Sequence, residues 1–253
     1  MDSETLTKLN RYIEQSENIV FFGGAGVSTE SGVPDFRSEN GLYNQHDTEF
    51  SEHPTEYYLS KSCLRDDPAS FYKFYRQKMD VTGIQPNDAH KYLAELEKRG
   101  KLKAVITQNV DGLHQVAGSK TVYEIHGTMS RNYCSKCAKQ YPSDYIFRNE
   151  DPVPTCECGG YIRPAVTLYG ESLPGKEFAH AANAIESADM LIVGGTSLQV
   201  FPAAGLLSYF HGNHLIIVNR DGANIPLGEH DLVITDPIGE VFRELAALQN
   251  ITL

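Results

Sequence analysis

The chain has 253 residues, 41% hydrophobic and 22% charged, enough for a sizeable core in one large domain or in one large and one small domain. Its 22 basic and 33 acidic side chains give a net charge of −11. That balance argues against tight, nonspecific binding to nucleic-acid phosphate and is compatible with basic, lysine-rich partners. No apolar run approaches the roughly 20 residues of a membrane helix, and there are no repeats or low-complexity tracts, so neither a membrane nor a nucleic-acid partner is expected.

Residues 3–16 read as a polar amphipathic helix, with Leu6, Leu9, Tyr12 and Ile13 near helical spacing. The short apolar run Ile19–Phe22 then enters Gly23-Gly24-Ala25-Gly26, the pattern of a buried strand leading into a glycine turn. The rhythm recurs. A helix over Ala89–Arg99 is closed by Gly100 and followed by a strand over Ala104–Thr107. Met190–Val193 runs into Gly194-Gly195-Thr196-Ser197, and Leu215–Val218 runs into Asn219. Leu232–Ile234 precedes a last helix over Ile238–Leu248. Apolar strands alternating with helices predict a Rossmann-like, doubly wound parallel α/β sheet, with ligands at the strands' C-terminal edge. Residues 48–84, rich in Tyr57, Tyr58, Phe71, Tyr72, Phe74 and Tyr75, and residues 127–165, which hold the cysteines, break the rhythm. We therefore expect a nucleotide-binding domain from 1–47, 85–126 and 166–253. A helical insertion (48–84) and a metal-binding module (127–165) would together form a small second domain.

Cys134-x-x-Cys137 and Cys156-x-Cys158 are separated by 18 residues, and two such knuckles suit a tetrahedral zinc ion. Disulfides are the alternative. The polar opening Met1-Asp2-Ser3-Glu4 is not a signal peptide and Cys63 is left over, so a reducing cytosol is expected. A redox motif needs only one pair. The second knuckle is tight, and Gly159-Gly160 after it supplies backbone freedom.

Gly24-Ala25-Gly26 is an incomplete dinucleotide fingerprint: Thr29 stands at the third glycine position, and no acidic residue ends a second strand about 20 residues on. A purely structural glycine turn is an equal reading. Ser28 and Thr29 offer hydroxyls for phosphate, and Gly195-Thr196-Ser197 is a second cradle that raises the case for a pyrophosphate site. Between them lie Pro34-Asp35-Phe36-Arg37, Thr107-Gln108-Asn109-Val110-Asp111 and Glu124-Ile125-His126-Gly127. Polar residues this dense at strand ends point to a site, with helix capping the alternative for Asp35 and Asp111. A lone histidine is more often structural than a base. The glycine beside His126 and its place at a module junction favour it over the competing His114.

Taken together, and in this order, these motifs resemble the sirtuin family of NAD-dependent protein deacylases, the bacterial members most. The match spans about residues 19–242 and includes Ser31-Gly32-Val33-Pro34, Arg163-Pro164, Tyr169-Gly170-Glu171 and Leu198. The resemblance implies that NAD lies between the large domain and the insertions. Its adenine end would rest near Gly195, Ser197 and Asn219, and its pyrophosphate on Gly24–Gly26, Thr29 and Thr196. Asp35, Phe36 and Arg37 would form the cofactor loop, with Phe36 shielding the ribose after nicotinamide leaves. Gln108, Asn109 and Asp111 would orient the nicotinamide half, and His126 would be the general base. Catalysis would thus rest on His126, Asn109 and Asp111, and the products would be free lysine, nicotinamide and O-acyl-ADP-ribose. Zinc would be structural, held by Cys134, Cys137, Cys156 and Cys158. The resemblance also implies an acyl-lysine peptide paired with a strand over Ala165–Tyr169 and with the segment after Leu198, its lysine tunnel lined by Thr167, Tyr169, Gly170, Val200 and Phe201. Thr167 replaces a common valine; its hydroxyl would either favour slightly more polar acyl groups or satisfy itself on a backbone carbonyl, and the second is expected. Family members that remove succinyl groups carry a tyrosine and an arginine three positions apart. Here Lys73 falls at the tyrosine position before Arg76, so acetyl and other uncharged acyl groups are expected over succinyl. A monomer is expected, and protein ADP-ribosylation or non-catalytic acyl-lysine and NAD sensing are the competing functions.

Overall fold

The computed structural model describes all residues except Asn40, His46, Asp47, Gln199 and 223–227. Among the described residues the strands are β1 (Ile19–Gly23), β2 (Leu102–Thr107), β3 (Val122–Glu124), β4 (Gly127–Cys134), β5 (Gln140–Tyr141), β6 (Ile162–Val166), β7 (Met190–Gly194), β8 (His214–Val218) and β9 (Leu232–Ile234). The helices are α1 (Ser3–Gln15), α2 (Thr55–Tyr58), α3 (Lys61–Asp66), α4 (Pro68–Lys78), α5 (Asp88–Lys98), α6 (Leu113–Ala117), α7 (Tyr145–Arg148), α8 (Gly175–Glu186) and α9 (Ile238–Leu248).

Six strands form one parallel sheet in the order β3-β2-β1-β7-β8-β9. Period-two geometry sends successive side chains of its central strands to opposite faces. Ile19 and Phe21 of β1, with Met190 and Ile192 of β7, join Leu9, Leu93 and Phe242 from α1, α5 and α9. Val20, Phe22, Leu191 and Val193 join Ala181 and Ile185 of α8 on the other face. Both faces are covered, so both strands are buried throughout and read as unbroken apolar runs. Local signals agree: the Asp2 carboxylate accepts the Thr5 N–H at 2.9 Å at the start of α1, and Asn87 accepts from Ala89 at 2.9 Å at the start of α5.

The two stretches that break the alternation share a second core. Phe50, Tyr58, Phe71, Tyr72, Phe74 and Tyr75 from residues 50–75 pack with Met129, Ile146 and Leu168. A three-stranded sheet, β5-β4-β6, carries the cysteine segment. Here the expected strand over Ala165–Tyr169 needs correction. Strand β6 is Ile162–Val166, and the Thr167 N–H turns to the His126 carbonyl at 2.9 Å. Tyr169 instead bridges to Ser60 beside α3, tying the loop after β6 to the helical insertion.

Candidate active site

In the large sheet β1 has β2 on one side and β7 on the other, so the chain winds outward in both directions from this point. Ligands of open α/β sheets bind in the crevice at the C-terminal ends of such strands. A cavity of about 1280 Å³ lies there, walled by the large sheet's loops and by the helical insertion. It exceeds the about 300–1,000 Å³ of a drug-sized pocket, leaving room for a dinucleotide and a side chain together.

The turns after β1 and β7 form one shelf. The Gly26 N–H donates to the Gly195 carbonyl at 2.8 Å, and a Cβ on Gly26 would stand 2.8 Å from the Gly195 Cα. Only a glycine permits this backbone-to-backbone approach. Gly24, Ala25, Gly26, Thr29, Gly195, Thr196 and Ser197 all line the cavity, as does Asn219 after β8. The Thr29 hydroxyl donates to the Gly26 carbonyl at 3.0 Å, and the Thr196 hydroxyl accepts the Gln108 amide at 3.0 Å. Shelf and strand-end loop are thereby joined.

Behind the shelf runs a buried polar network. The Ser28 hydroxyl donates to the Asp111 carboxylate at 2.7 Å and accepts from the Asn109 amide at 3.0 Å. Asp111 also accepts the Leu113 N–H at 2.9 Å. Asn109 lines the cavity, whereas Asp111 stands behind the wall; burial raises its carboxyl above the ordinary value, partly offset by these bonds. Ser28 also meets His90 Nε2 at 3.4 Å.

His126 follows β3 and precedes Gly127, whose φ of +76° is a conformation that side chains rarely adopt. Its Nδ1 lies 3.0 Å from the Gln108 carbonyl. A carbonyl can only accept, so Nδ1 carries the proton and Nε2 carries the lone pair. Burial lowers the imidazole pKa below its ordinary value, opposed by the Gln108 carbonyl. His114 is elsewhere: it does not line the cavity, it is fully buried, and neither ring nitrogen has a partner among the described residues. Its pKa falls well below the ordinary value, from burial first and His90 second.

The segment 33–38 crosses the cavity mouth. Asp35 shapes it, accepting the Arg37 and Ser38 N–H groups at 3.1 and 2.9 Å, while Phe36 and Arg37 both face the Tyr43 ring at 5.5 Å. The Tyr43 hydroxyl, behind this segment, meets that of Tyr169, which lines the cavity. On the far side Thr167, Tyr169, Gly170 and Val200 line the cavity, with Phe201 77% exposed at its rim. No hydrogen bond from the Thr167 hydroxyl appears among the described residues, contrary to the expected backbone partner. The segment after Leu198 includes Gln199, which lies outside the described residues.

The cysteines converge as expected. The four sulfurs lie within 4.8 Å of one another, with Cys134 and Cys158 at 3.4 Å and Cys137 and Cys156 at 3.7 Å. A tetrahedron with Zn–S bonds of about 2.3 Å has edges of about 3.8 Å, so the set fits zinc. All four are free thiols. The Cys156 thiol is drawn down to about 6, first by the Cys158 N–H and then by the Tyr141 hydroxyl, which favours a thiolate ligand at neutral pH.

The model of the Sir2 family matches residues 24–202. The chain belongs to the Sir2 family. It is 50% identical over 239 residues to the "NAD-dependent protein deacetylase" of Clostridium acetobutylicum, covering 94% of this chain and 96% of that one. A solved Sir2 complex with a deacetylated p53 peptide and 3'-O-acetyl ADP ribose superposes with a TM-score of 0.86 at 33% identity, covering 98% and 99% of the two chains. A Sir2 bound to an acetylated peptide gives a TM-score of 0.84 at 32% identity, with both chains fully covered.

Three features of this Sir2 protein's site were not assigned from the sequence. His90 was hidden inside an ordinary amphipathic helix. The Arg163–Glu171 pair, bonded at 2.6 and 2.9 Å, joins two motifs that the sequence leaves unconnected. Tyr75 and Met79 of the helical insertion reach the cavity lining, whereas Lys73 points away to Glu49 at 2.6 Å. The helix face toward the cavity is therefore that of Tyr75, not of Lys73.

Proposed function

We propose that this Sir2-family protein removes acetyl and other uncharged acyl groups from lysine side chains with NAD, giving nicotinamide, O-acyl-ADP-ribose and free lysine. One observation carries this reading. His126 presents an unprotonated Nε2, with Nδ1 fixed on the Gln108 carbonyl, in a cavity shared by the glycine shelf and the loop after β6.

Residues 1–47, 85–126 and 166–253 serve as the nucleotide domain, with 48–84 and 127–165 as the two inserted modules. Gly24, Ala25, Gly26, Thr29 and Thr196 hold the pyrophosphate of NAD, and Gly195, Ser197 and Asn219 its adenine end. Asp35 shapes the cofactor loop, so that Phe36 and Arg37 cover the nicotinamide half and exclude water. Bound NAD supplies an electrophilic anomeric carbon and a leaving group. Gln108 orients His126 through its carbonyl and Thr196 through its amide. Asn109 faces the ribose, and Asp111 acts as a positioning residue through Ser28. Nε2 of His126 takes the proton of a sugar hydroxyl, a task suited to an imidazole that is neutral at working pH. Thr167, Tyr169, Gly170 and Val200 line the path of the acyl-lysine. Cys134, Cys137, Cys156 and Cys158 hold zinc; four thiolates leave no open position for water, so the metal is structural. Free thiolates suit a reducing cytoplasm. We take the protein to act as a monomer. Among the described residues no helix is long and apolar enough to cross a membrane.

Mass spectrometry of an acetyl-lysine peptide with and without NAD tests the reading. Loss of acetyl only with NAD, together with O-acetyl-ADP-ribose, supports it. ADP-ribose appearing on protein without deacetylation would replace it with the transferase.

A further inference from the structure

The apolar end of the cavity is lined by a residue whose buried hydrogen-bond donor has nothing to donate to among the described residues. Leu59, Tyr75, Met79, Val110, Val166 and Leu168 line the cavity and belong to one hydrophobic cluster. In that set Tyr75 is the polar member. It is 1% exposed, and its buried hydroxyl has no hydrogen-bond partner among the described residues. The ring is not free to turn away, because it stacks on Phe71 at 5.8 Å and on Phe147 at 5.4 Å. Burial raises the phenol pKa, so it stays protonated and a donor. A buried donor without an acceptor is costly, and each one in a native structure calls for an explanation; an acceptor brought by a ligand is one.

The neighbouring groups decide what that partner is. The cations on the cavity lining are Arg37 in the cofactor loop and Arg220 after β8, and neither belongs to the apolar cluster. Arg76, next to Tyr75, turns away and donates to the backbone carbonyls of Ile146 at 2.9 Å and Asp151 at 2.7 Å. A carboxylate here would be buried without a counter-charge, which is unfavourable; a neutral oxygen would not be. Thr167, on the same lining, adds a second hydroxyl with no partner among the described residues.

We propose that Tyr75 is a specificity residue: it selects neutral acyl groups longer than acetyl that carry a distal hydrogen-bond acceptor, the hydroxyacyl class, over plain alkyl chains of equal length and over acidic ones. The inference rests on the deacylase reading and deepens it. It explains why a phenol is held rigidly in an otherwise apolar wall: the acyl chain packs on Leu59 and Met79, and its oxygen accepts from Tyr75. An alkyl chain of the same length would leave the phenol unpaired, and a site built around a hydrogen bond discriminates against ligands that lack it.

The test compares kcat/KM for four forms of one peptide carrying acetyl-lysine, 3-hydroxybutyryl-lysine, butyryl-lysine or succinyl-lysine, with wild-type protein and Tyr75→Phe. Ratios between substrates cancel any loss of folded protein. The wild type is expected to favour 3-hydroxybutyryl over butyryl by about five- to tenfold, the effect of one buried hydrogen bond, with succinyl slowest. In Tyr75→Phe that preference should fall to about one or invert. A wild-type ratio at or below one, or a ratio unchanged by Tyr75→Phe, overturns the assignment while leaving deacetylation standing. No NAD-dependent loss of any acyl group, acetyl included, overturns the deacylase reading itself.

Discussion

The loop after β6 is held by one ion pair, and removing half of that pair makes a quantitative prediction. The Glu171 carboxylate lies 2.6 and 2.9 Å from the two terminal nitrogens of Arg163 and also accepts the Leu168 N–H at 2.9 Å. Arg163 makes two more bonds, to the Val166 carbonyl at 3.0 Å and from its Nε to the Pro164 carbonyl at 3.4 Å. The two side chains are only 13% and 20% exposed. An exposed pair contributes about 0–1 kcal/mol, whereas breaking a buried one costs about 3–5 kcal/mol. Glu171→Gln keeps an acceptor for Leu168 but loses the charge opposite Arg163, so a loss of about 2–3 kcal/mol is expected. At about 2–4 °C per kcal/mol for a chain of this size, that lowers Tm by about 5–10 °C. Differential scanning calorimetry of zinc-saturated wild type, Glu171→Gln, Arg163→Met and the double variant reads this directly. The double variant should lose less than the two single losses added together, because the partner left behind in each single variant is a buried, unpaired group. The pH dependence has a definite sign. Burial alone would raise the Glu171 carboxyl, but Arg163 and then the Leu168 N–H outweigh it and hold its pKa below the ordinary 4.5. A depressed carboxyl contributes stability that is fully present above its unfolded value and is lost as pH falls through the folded one. That acid-side loss should be smaller in Glu171→Gln. Strict additivity of the single variants, or a loss under about 0.5 kcal/mol, would refute the assignment of a buried, coupled pair.

The remaining expectations are briefer. Because burial lowers the His126 pKa from 6.5, kcat/KM should rise with pH through a midpoint below that value and then level off as the neutral imidazole dominates; a midpoint above 7 would contradict the buried-base assignment. Metal analysis should find one zinc per chain. Removing it with a chelator, or substituting Cys156→Ser, should loosen the β4–β6 module and abolish peptide turnover; full activity in demonstrably zinc-free protein would contradict a structural metal. Gly26→Ala places a Cβ 2.8 Å from the Gly195 Cα, so the two turns must separate, and calorimetry should show NAD affinity reduced by about tenfold or more; unchanged affinity would remove the shelf from the cofactor site.

What was legible in the sequence follows from what burial does to a pattern. Strands β1, β2, β7 and β8 lie inside a covered parallel sheet, so Ile19–Phe22 or Leu215–Val218 stand out as apolar runs. Strand β3, at the sheet edge and half-buried over Val122–Glu124, leaves no such run and was not anticipated. Helix α8 was not anticipated, although Phe178, Ala181, Ala182 and Ile185 form an inward-packed face at helical spacing, because that face is built largely of small alanines. Zinc was legible because four thiols converge through two short, local spacings. The cofactor shelf was legible as glycine turns, but its stitching required β1 and β7 to be neighbours, a relation between residues 170 positions apart. Asp111 looked like a cavity residue because it shares a strand-end loop with Asn109; only the fold shows that Ser28 takes its carboxylate. Which face of α4 lines the cavity was not legible, because spacing along a helix does not set its rotation against a neighbour; Tyr75 lines it and Lys73 pairs with Glu49.

The most direct measurement of the central claim compares wild type with His126→Ala, following nicotinamide, deacetylated peptide and O-acetyl-ADP-ribose together by mass spectrometry. The wild type should form deacetylated peptide and O-acetyl-ADP-ribose in equal amounts and only with NAD. His126→Ala should lose about 10²–10⁴-fold in that product while still binding peptide and NAD. Turnover by His126→Ala within a few-fold of wild type, or acetyl loss from the wild type without NAD, would contradict the account.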